Sequence, residues 1–194
     1  MRCVHGETLG IIGCGNLGKQ VAKKAHAFDM RVIGYDKYLT KEMSESIGIE
    51  LVELDELLKT ADFITLHVAL TEETRHIIGS DALSKMKPNC VLINTSRGPV
   101  IDEEALIGAL KSGRIAGACL DVFETEPVDS GNPLLCMDNV ILTPHCASYS
   151  DSSFERLKRS VMQEAIRVKN GQQPIHIVNR DVLSSAVSRL NPQG

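Results

Sequence analysis

The segment Gly13-Cys14-Gly15-Asn16-Leu17-Gly18 stands between an apolar run, Thr8 to Ile12, and a stretch of helical period in which Leu17, Val21, Ala25 and Phe28 share one face. A G-x-G-x-x-G segment between strand and helix points to dinucleotide binding. The first glycine permits a tight turn, the second lets the backbone approach a pyrophosphate, and the third lets helix and strand pack closely. The helix start adds free N–H groups and a partial positive charge. Arg31 to Tyr35 reads as a second strand, and Asp36 follows it where a carboxylate accepts hydrogen bonds from the adenosine ribose hydroxyls. That carboxylate repels a 2′-phosphate, so NAD is expected over NADP; Lys37 is the one nearby cation that could offset it.

The same alternation of short apolar runs with helical stretches continues along the chain. Ile49 to Val52, Phe63 to Leu66, Cys90 to Asn94, Ile115 to Leu120 and Val140 to Leu142 read as strands. A short helical or irregular stretch starts at Thr40, and Leu54, Leu57 and Leu58 suggest a helix. Asp102-Glu103-Glu104 opens another, carrying Leu106, Ile107 and Leu110, with acids at the positive end of its dipole and Gly113 at its close. A last helix, Ser152 to Val168, is patterned by Phe154, Leu157, Val161, Ala165 and Val168 and closed by Gly171. Continuous apolar strands alternating with helices give a parallel sheet covered on both faces, a doubly wound α/β fold of the Rossmann type.

Composition removes several other classes. The 194 residues carry a formal net charge of −4 without a run of like charges, so direct nucleic-acid binding is not expected. Apolar stretches are short and the N-terminus lacks an apolar signal core, so the expectation is a cytoplasmic protein with no membrane span. Cys3, Cys14, Cys90, Cys119, Cys136 and Cys146 show no Cys-x-x-Cys pair and read as small buried hydrophobes, and the histidines show no metal-ligand spacing. No metal is expected.

Three polar residues follow strands: Arg97 after Asn94, Glu126 after Asp121, and His145 after Leu142 or Thr143. In a parallel sheet all strand C-termini share one edge, so the three can converge beside the glycine loop. Singly, each also reads as an ordinary loop residue. Tyr35 and His67, at the same edge, either line the adenine side or are ordinary strand-end residues.

Thr8-Leu9-Gly10-Ile11-Ile12-Gly13, Asn94-Thr95-Ser96-Arg97-Gly98, Leu120-Asp121-Val122-Phe123-Glu124 with Glu126-Pro127, and Thr143-Pro144-His145 resemble, in order, the D-isomer-specific 2-hydroxyacid dehydrogenases. The resemblance implies that Arg97 binds the carboxylate and carbonyl of a small 2-hydroxy or 2-oxo acid, that His145 exchanges the substrate proton, and that Glu126 hydrogen-bonds His145. It also implies that Asp121 holds the nicotinamide carboxamide. Gly13, Gly15, Asn16, Leu17, Gly18, Tyr35, Asp36, His67, Thr95 and Asp121 are thus the candidate NAD-binding set, and Arg97, Glu126 and His145 the candidate catalytic set. The residue types suit the chemistry: a histidine can take a hydroxyl proton at neutral pH, and the arginine fork fits a planar 2-oxo acid.

Pro144 to Ser150 and the ending through Val178-Asn179 look similar to the C-terminal binding protein branch, which includes NAD-responsive corepressors, although Ser148 stands where that branch has tryptophan. An NAD-gated interaction protein is therefore the alternative function. A second departure is Ala69, where the family has proline. The family also carries a substrate domain before the glycine loop and a dimer contact through the nucleotide domain. Residues 1–173 are accordingly expected to be an NAD-binding domain, homodimeric, with 174–194 a tail returning to a substrate domain absent from this chain. Turnover by the isolated chain is expected to be incomplete.

Overall fold

The computed structural model describes residues 3–175 and 177–179. The chain divides into two compact units, Met1–Ala147 and Ser148–Gly194. In the first, the strands β1 (Thr8–Ile12), β2 (Arg31–Tyr35), β3 (Glu50–Leu51), β4 (Phe63–Leu66), β5 (Val91–Asn94), β6 (Gly117–Leu120) and β7 (Val140–Leu142) form one sheet in the order β3-β2-β1-β4-β5-β6-β7. Every neighbouring pair is parallel. Helices α1 (Asn16–His26), α2 (Lys41–Glu45), α3 (Leu54–Thr60), α4 (Ser80–Lys85) and α5 (Glu103–Lys111) lie between the strands in sequence. From β1 the chain winds outward to β2 and β3, then returns to β4 on the other side of β1. That reversal opens a crevice beyond the carboxyl ends of β1 and β4.

Side chains alternate across each strand, and the sheet consequently has two cores. Leu9 and Ile11 of β1 and Val32 of β2 pack with Ala22 and Ala25 of α1 on one face. Ile12 and Ile33, on the other, join Leu57 and Leu58 of α3, Leu83 of α4 and Leu106 and Leu110 of α5. Helices therefore cover both faces, as the alternation of elements in the sequence implies.

Several details depart from the sequence reading. On α1 the buried stripe is Gly18, Ala22 and Ala25, while Leu17 is 68% and Phe28 62% exposed. A Cβ at Gly18 would overlap the carbonyl of Gly13, so small residues let α1 sit close on the sheet. The third strand shortens to Glu50–Leu51, an edge strand paired only with β2. The fifth and sixth begin at Val91 and Gly117; Ile115 is buried just before β6. Helix α4 buries only Ala82 and Leu83, too short a stretch to show a period. Asp102 caps α5 by accepting from Ala105 N–H at 3.0 Å, and Gly113 follows its end with φ +69°. None of the six cysteines forms a disulfide: Cys14 and Cys90 are buried, but Cys3 and Cys136 are exposed. Burial, with the charge of Asp36 adding to it against Lys19, pushes the Cys14 thiol up to about 12, so it is an inert packing group.

In the second unit, α6 (Asp151–Lys169) is opened by a reciprocal cap: Ser153 N–H donates to Ser150 Oγ and Ser150 N–H donates to Ser153 Oγ. None of its residues is buried, Phe154, Leu157, Val161 and Val168 included. The Phe154 ring meets Tyr149 edge-on, with centroids 5.6 Å apart. Gly171, at φ +70°, ends the helix. Of the expected tail, Ile175 and Val178 are exposed. Val182 and Leu183, with the rest of 180–194, lie outside the described residues. Among the described residues no helix is long and apolar enough to cross a membrane, and no cluster of His, Cys, Asp and Glu could hold a metal ion.

Candidate active site

A cavity of about 290 Å³ opens at the carboxyl ends of β1, β2 and β4, lined by Gly13, Gly15, Tyr35, Asp36, His67 and Val68 among others. Gly13 has φ +93°, and a Cβ there would lie 2.8 Å from the His67 carbonyl carbon; only glycine lets the loop turn this close to β4. Gly15 opens α1 with no atom within 4 Å of a Cβ position, a bare backbone facing open space. The first turn of α1 contains no acidic residue to cancel its positive end. Asn16 and Leu17 are exposed on that turn, and Gly18 is buried beneath it.

Asp36 ties the loops at this edge together. Its Oδ2 accepts from Cys14 N–H at 2.7 Å, while Oδ1 accepts from Tyr38 and Leu39 N–H at 2.8 and 3.1 Å. Oδ2, with one donor, retains lone-pair capacity, and Asp36 lines the cavity. His67 Nε2 lies 3.0 Å from Thr65 Oγ1, and burial holds its pKa below the ordinary value, so it faces the cavity as a neutral ring. A turn whose one side chain, Cys14, is buried, an open helix start and a carboxylate at the end of β2 fit a dinucleotide.

Arg97, Glu126 and His145 leave the sheet after the adjacent strands β5, β6 and β7, and all three are exposed. His145 Nδ1 lies 2.8 Å from Glu126 Oε2, and Phe123 N–H donates to Glu126 Oε1 at 3.0 Å. The hydrogen bond to His145 holds the Glu126 carboxyl below the usual range, with help from Phe123 against desolvation. An ionised Glu126 is an acceptor only, so His145 Nδ1 carries a proton and Nε2 is the nitrogen left to exchange one. The Arg97 guanidinium donates to Ser96 O at 2.6 Å and otherwise extends into solvent. Thr95 is likewise exposed.

Asp121, which the family resemblance sets at the carboxamide, also has partners within the chain. It is 4% exposed, and its carboxylate accepts from Thr143 Oγ1 at 2.5 Å, Cys146 N–H at 2.8 Å and Ala147 N–H at 2.9 Å. Its backbone carbonyl also accepts from His145 N–H at 2.8 Å. Asp121 thus holds the turn that carries His145, which itself sits at φ +52°. Desolvation alone would raise its pKa, but bonds from Thr143, Ala147 and Cys146 outweigh burial and hold it low.

Other supports escaped the sequence reading. Buried Asn94 donates from Nδ2 to Arg97 O at 2.9 Å and accepts from Ser96 N–H at the same distance, shaping the Arg97 loop. Gly98 lies against the Phe123–Glu124 peptide, where a Cβ would overlap the Phe123 carbonyl. Glu124 N–H donates to Glu103 Oε2 at 2.9 Å, and Glu124 Oε1 lies 2.7 Å from His76 Nε2. These long-range partners leave no local sequence signal, although Gly98 and Glu124 stand inside the motifs.

Residues 1–147 match the profile of the D-isomer specific 2-hydroxyacid dehydrogenase, NAD binding domain. A glyoxylate reductase of Korarchaeum cryptofilum is 47% identical over 180 residues, covering 93% of this chain and 54% of that protein. A D-3-phosphoglycerate dehydrogenase of Methanocaldococcus jannaschii is 47% identical over 191 residues, 97% of this chain and 36% of that one. Among solved structures, a glyoxylate reductase from Paecilomyes thermophila superposes with a TM-score of 0.86 at 36% identity, covering 93% of this chain and 54% of that chain. D-lactate dehydrogenase with NAD+ from Lactobacillus jensenii gives 0.83 at 31% identity, covering 91% and 57%. The chain spans about half the length of most of these relatives, and they favour the dehydrogenase reading over the corepressor one. It belongs to the D-isomer-specific 2-hydroxyacid dehydrogenases and contains that family's NAD-binding domain.

Proposed function

We propose that the protein carrying this chain transfers a hydride between NAD(H) and a small D-2-hydroxy or 2-oxo acid, with glyoxylate the first substrate to test. The observation that carries the proposal is the His145–Glu126 pair at 2.8 Å, on the same sheet edge as the glycine loop. In this reading the Gly13–Gly18 turn and the start of α1 receive the pyrophosphate, Asp36 the adenosine ribose, and Tyr35 and His67 flank the adenine. The bound nicotinamide supplies or accepts the hydride. Arg97 pairs with the substrate carboxylate, and His145 Nε2 gives the alcohol its proton or takes it, with Glu126 fixing the ring. The homodimer implied by the family resemblance and the cytoplasmic setting expected from the sequence belong to the same proposal.

The test is calorimetry with NADH on this chain, and NADH consumption with glyoxylate, pyruvate and hydroxypyruvate by the protein that carries it. His145→Ala should lower turnover by roughly 10²–10⁴-fold while NADH still binds. Equal loss of binding and turnover would make His145 structural.

A further inference from the structure

The cavity at the glycine loop carries a charge arrangement that the Asp36 argument does not cover. Lys37 and Glu73 both line it, and Lys37 Nζ lies 2.7 Å from Glu73 Oε2. Lys37 follows β2, and Glu73 stands in the turn after β4, so the pair joins the two loops that flank the glycine loop. The turn holding Lys37 is fixed by Asp36, which accepts from the N–H groups of Tyr38, Leu39 and Cys14. The hydrogen bond that Lys37 donates to Glu73, and then the charge of Glu73, raise the Lys37 pKa.

Among the described residues lining this cavity, Lys37 is the one lysine or arginine. The adjoining hollow, bounded by Tyr35, Asp36 and Lys37, adds Glu53 and Glu56 but no further cation. A ribose 2′-phosphate beside Asp36 would therefore meet carboxylates on several sides, with a single ammonium able to compensate. That ammonium is already engaged.

We propose that Glu73 is a specificity-determining residue for the cofactor: by pairing with Lys37 it withholds from the ribose end the one cation that could balance Asp36 against a 2′-phosphate. The proposal rests on the NAD reading and adds a second element of selectivity beside Asp36. Lysine suits such control, being a compact charge on a flexible stem that can swing between partners. Both side chains are more than half exposed, and exposed ion pairs are weak, so the effect is a several-fold bias rather than an absolute barrier.

The experiment measures NADH and NADPH affinities by calorimetry for the wild-type chain, Glu73→Gln, and Lys37→Gln/Glu73→Gln. The glutamine keeps the shape of Glu73 and removes its charge. The ratio of NADPH to NADH affinity should rise about three- to fivefold in Glu73→Gln, the range an exposed ion pair can supply. It should fall back in the double variant, where no freed ammonium remains. A ratio unmoved by Glu73→Gln overturns the proposal. So does a gain that persists in the double variant, because Glu73 would then act by its own repulsion without Lys37. Loss of NADH binding in Glu73→Gln, with the wild type binding normally, would make the pair a structural clasp. A wild type that binds neither nucleotide overturns the cofactor reading and this inference with it, whereas a wild type that binds NADH isolates the test to Glu73.

Discussion

Glu126 Oε2 lies 2.8 Å from His145 Nδ1 while Glu126 Oε1 accepts from Phe123 N–H, so one carboxylate both orients the imidazole and braces its own loop. The two residues are 19 apart in sequence and meet because β6 and β7 are neighbours.

The pair has a pH signature on the carboxylate side. The Glu126 pKa is lowered first of all by the bond to His145. A depressed carboxylate contributes stability that is present above its unfolded pKa, about 4.3, and lost as pH falls through the folded value. In His145→Ala the Glu126 midpoint, followed by carbon-detected NMR, should move up toward about 4.3. The acid limb of the stability curve should shrink with it. An unmoved midpoint would show that the geometry does not report the charge interaction.

Asp121 gives a second pH-dependent contrast, in stability rather than at the reacting edge. Its carboxylate satisfies donors from Thr143, Cys146 and Ala147, and its pKa is held low despite burial. Asp121→Asn exchanges a charged acceptor for an amide and should cost about 1.5–3 kcal/mol at neutral pH by urea unfolding. The difference from wild type should be complete above about pH 3.9 and diminish as pH falls through the folded pKa. A difference that grows on acidification would contradict the assignment of these bonds to an ionised Asp121.

Asp36 is expected to matter twice, toward the ribose and toward its own loop. Asp36→Ala removes acceptors from Cys14, Tyr38 and Leu39 as well as from the nucleotide. NADH affinity by calorimetry should fall about ten- to a hundredfold, the range for hydrogen bonds to a charged group. Unchanged affinity would remove Asp36 from the site.

What the sequence made legible was local or periodic. The glycine loop, Asp36 at the end of β2, and the strands that set Arg97, Glu126 and His145 at one edge could all be read from runs of residues and the parallel-sheet rule. The face of α1 could be read only in part: Ala25 is buried and Val21 packs on the core, but Leu17 and Phe28 are exposed. Periodicity favours the large side chains Leu17 and Phe28, whereas close packing on β1 selects Gly18, Ala22 and Ala25. Asp121 was legible as a motif residue but not as the anchor of the His145 turn, because its partners lie 22 to 26 residues away. Lys37 was read as the one nearby cation that could offset Asp36; its partner Glu73 is 36 residues off and carries no pattern.

Two glycines should respond to alanine with opposite signs, and the contrast tests how the Arg97 loop is held. At Gly98 the added methyl would meet the carbonyl of Phe123 and the peptide of Glu124, backbone atoms that cannot swing aside as a side chain would. The strands β5 and β6 fix both sides of that contact, so Gly98→Ala should cost about 1–3 kcal/mol, the usual penalty for overpacking. At Gly108, inside α5, nothing lies within 4 Å of a Cβ and the backbone is helical. Alanine there loses less conformational freedom on folding, so Gly108→Ala should gain roughly 0.5–1 kcal/mol. Urea unfolding of both variants reads the signs directly. The cavity at the glycine loop should survive in Gly98→Ala, because it is built on β1, β2 and β4 and draws no lining residue from this loop. If Gly98→Ala proves as stable as wild type, the close approach of the Arg97 loop to the Phe123–Glu124 peptide is not what positions Arg97.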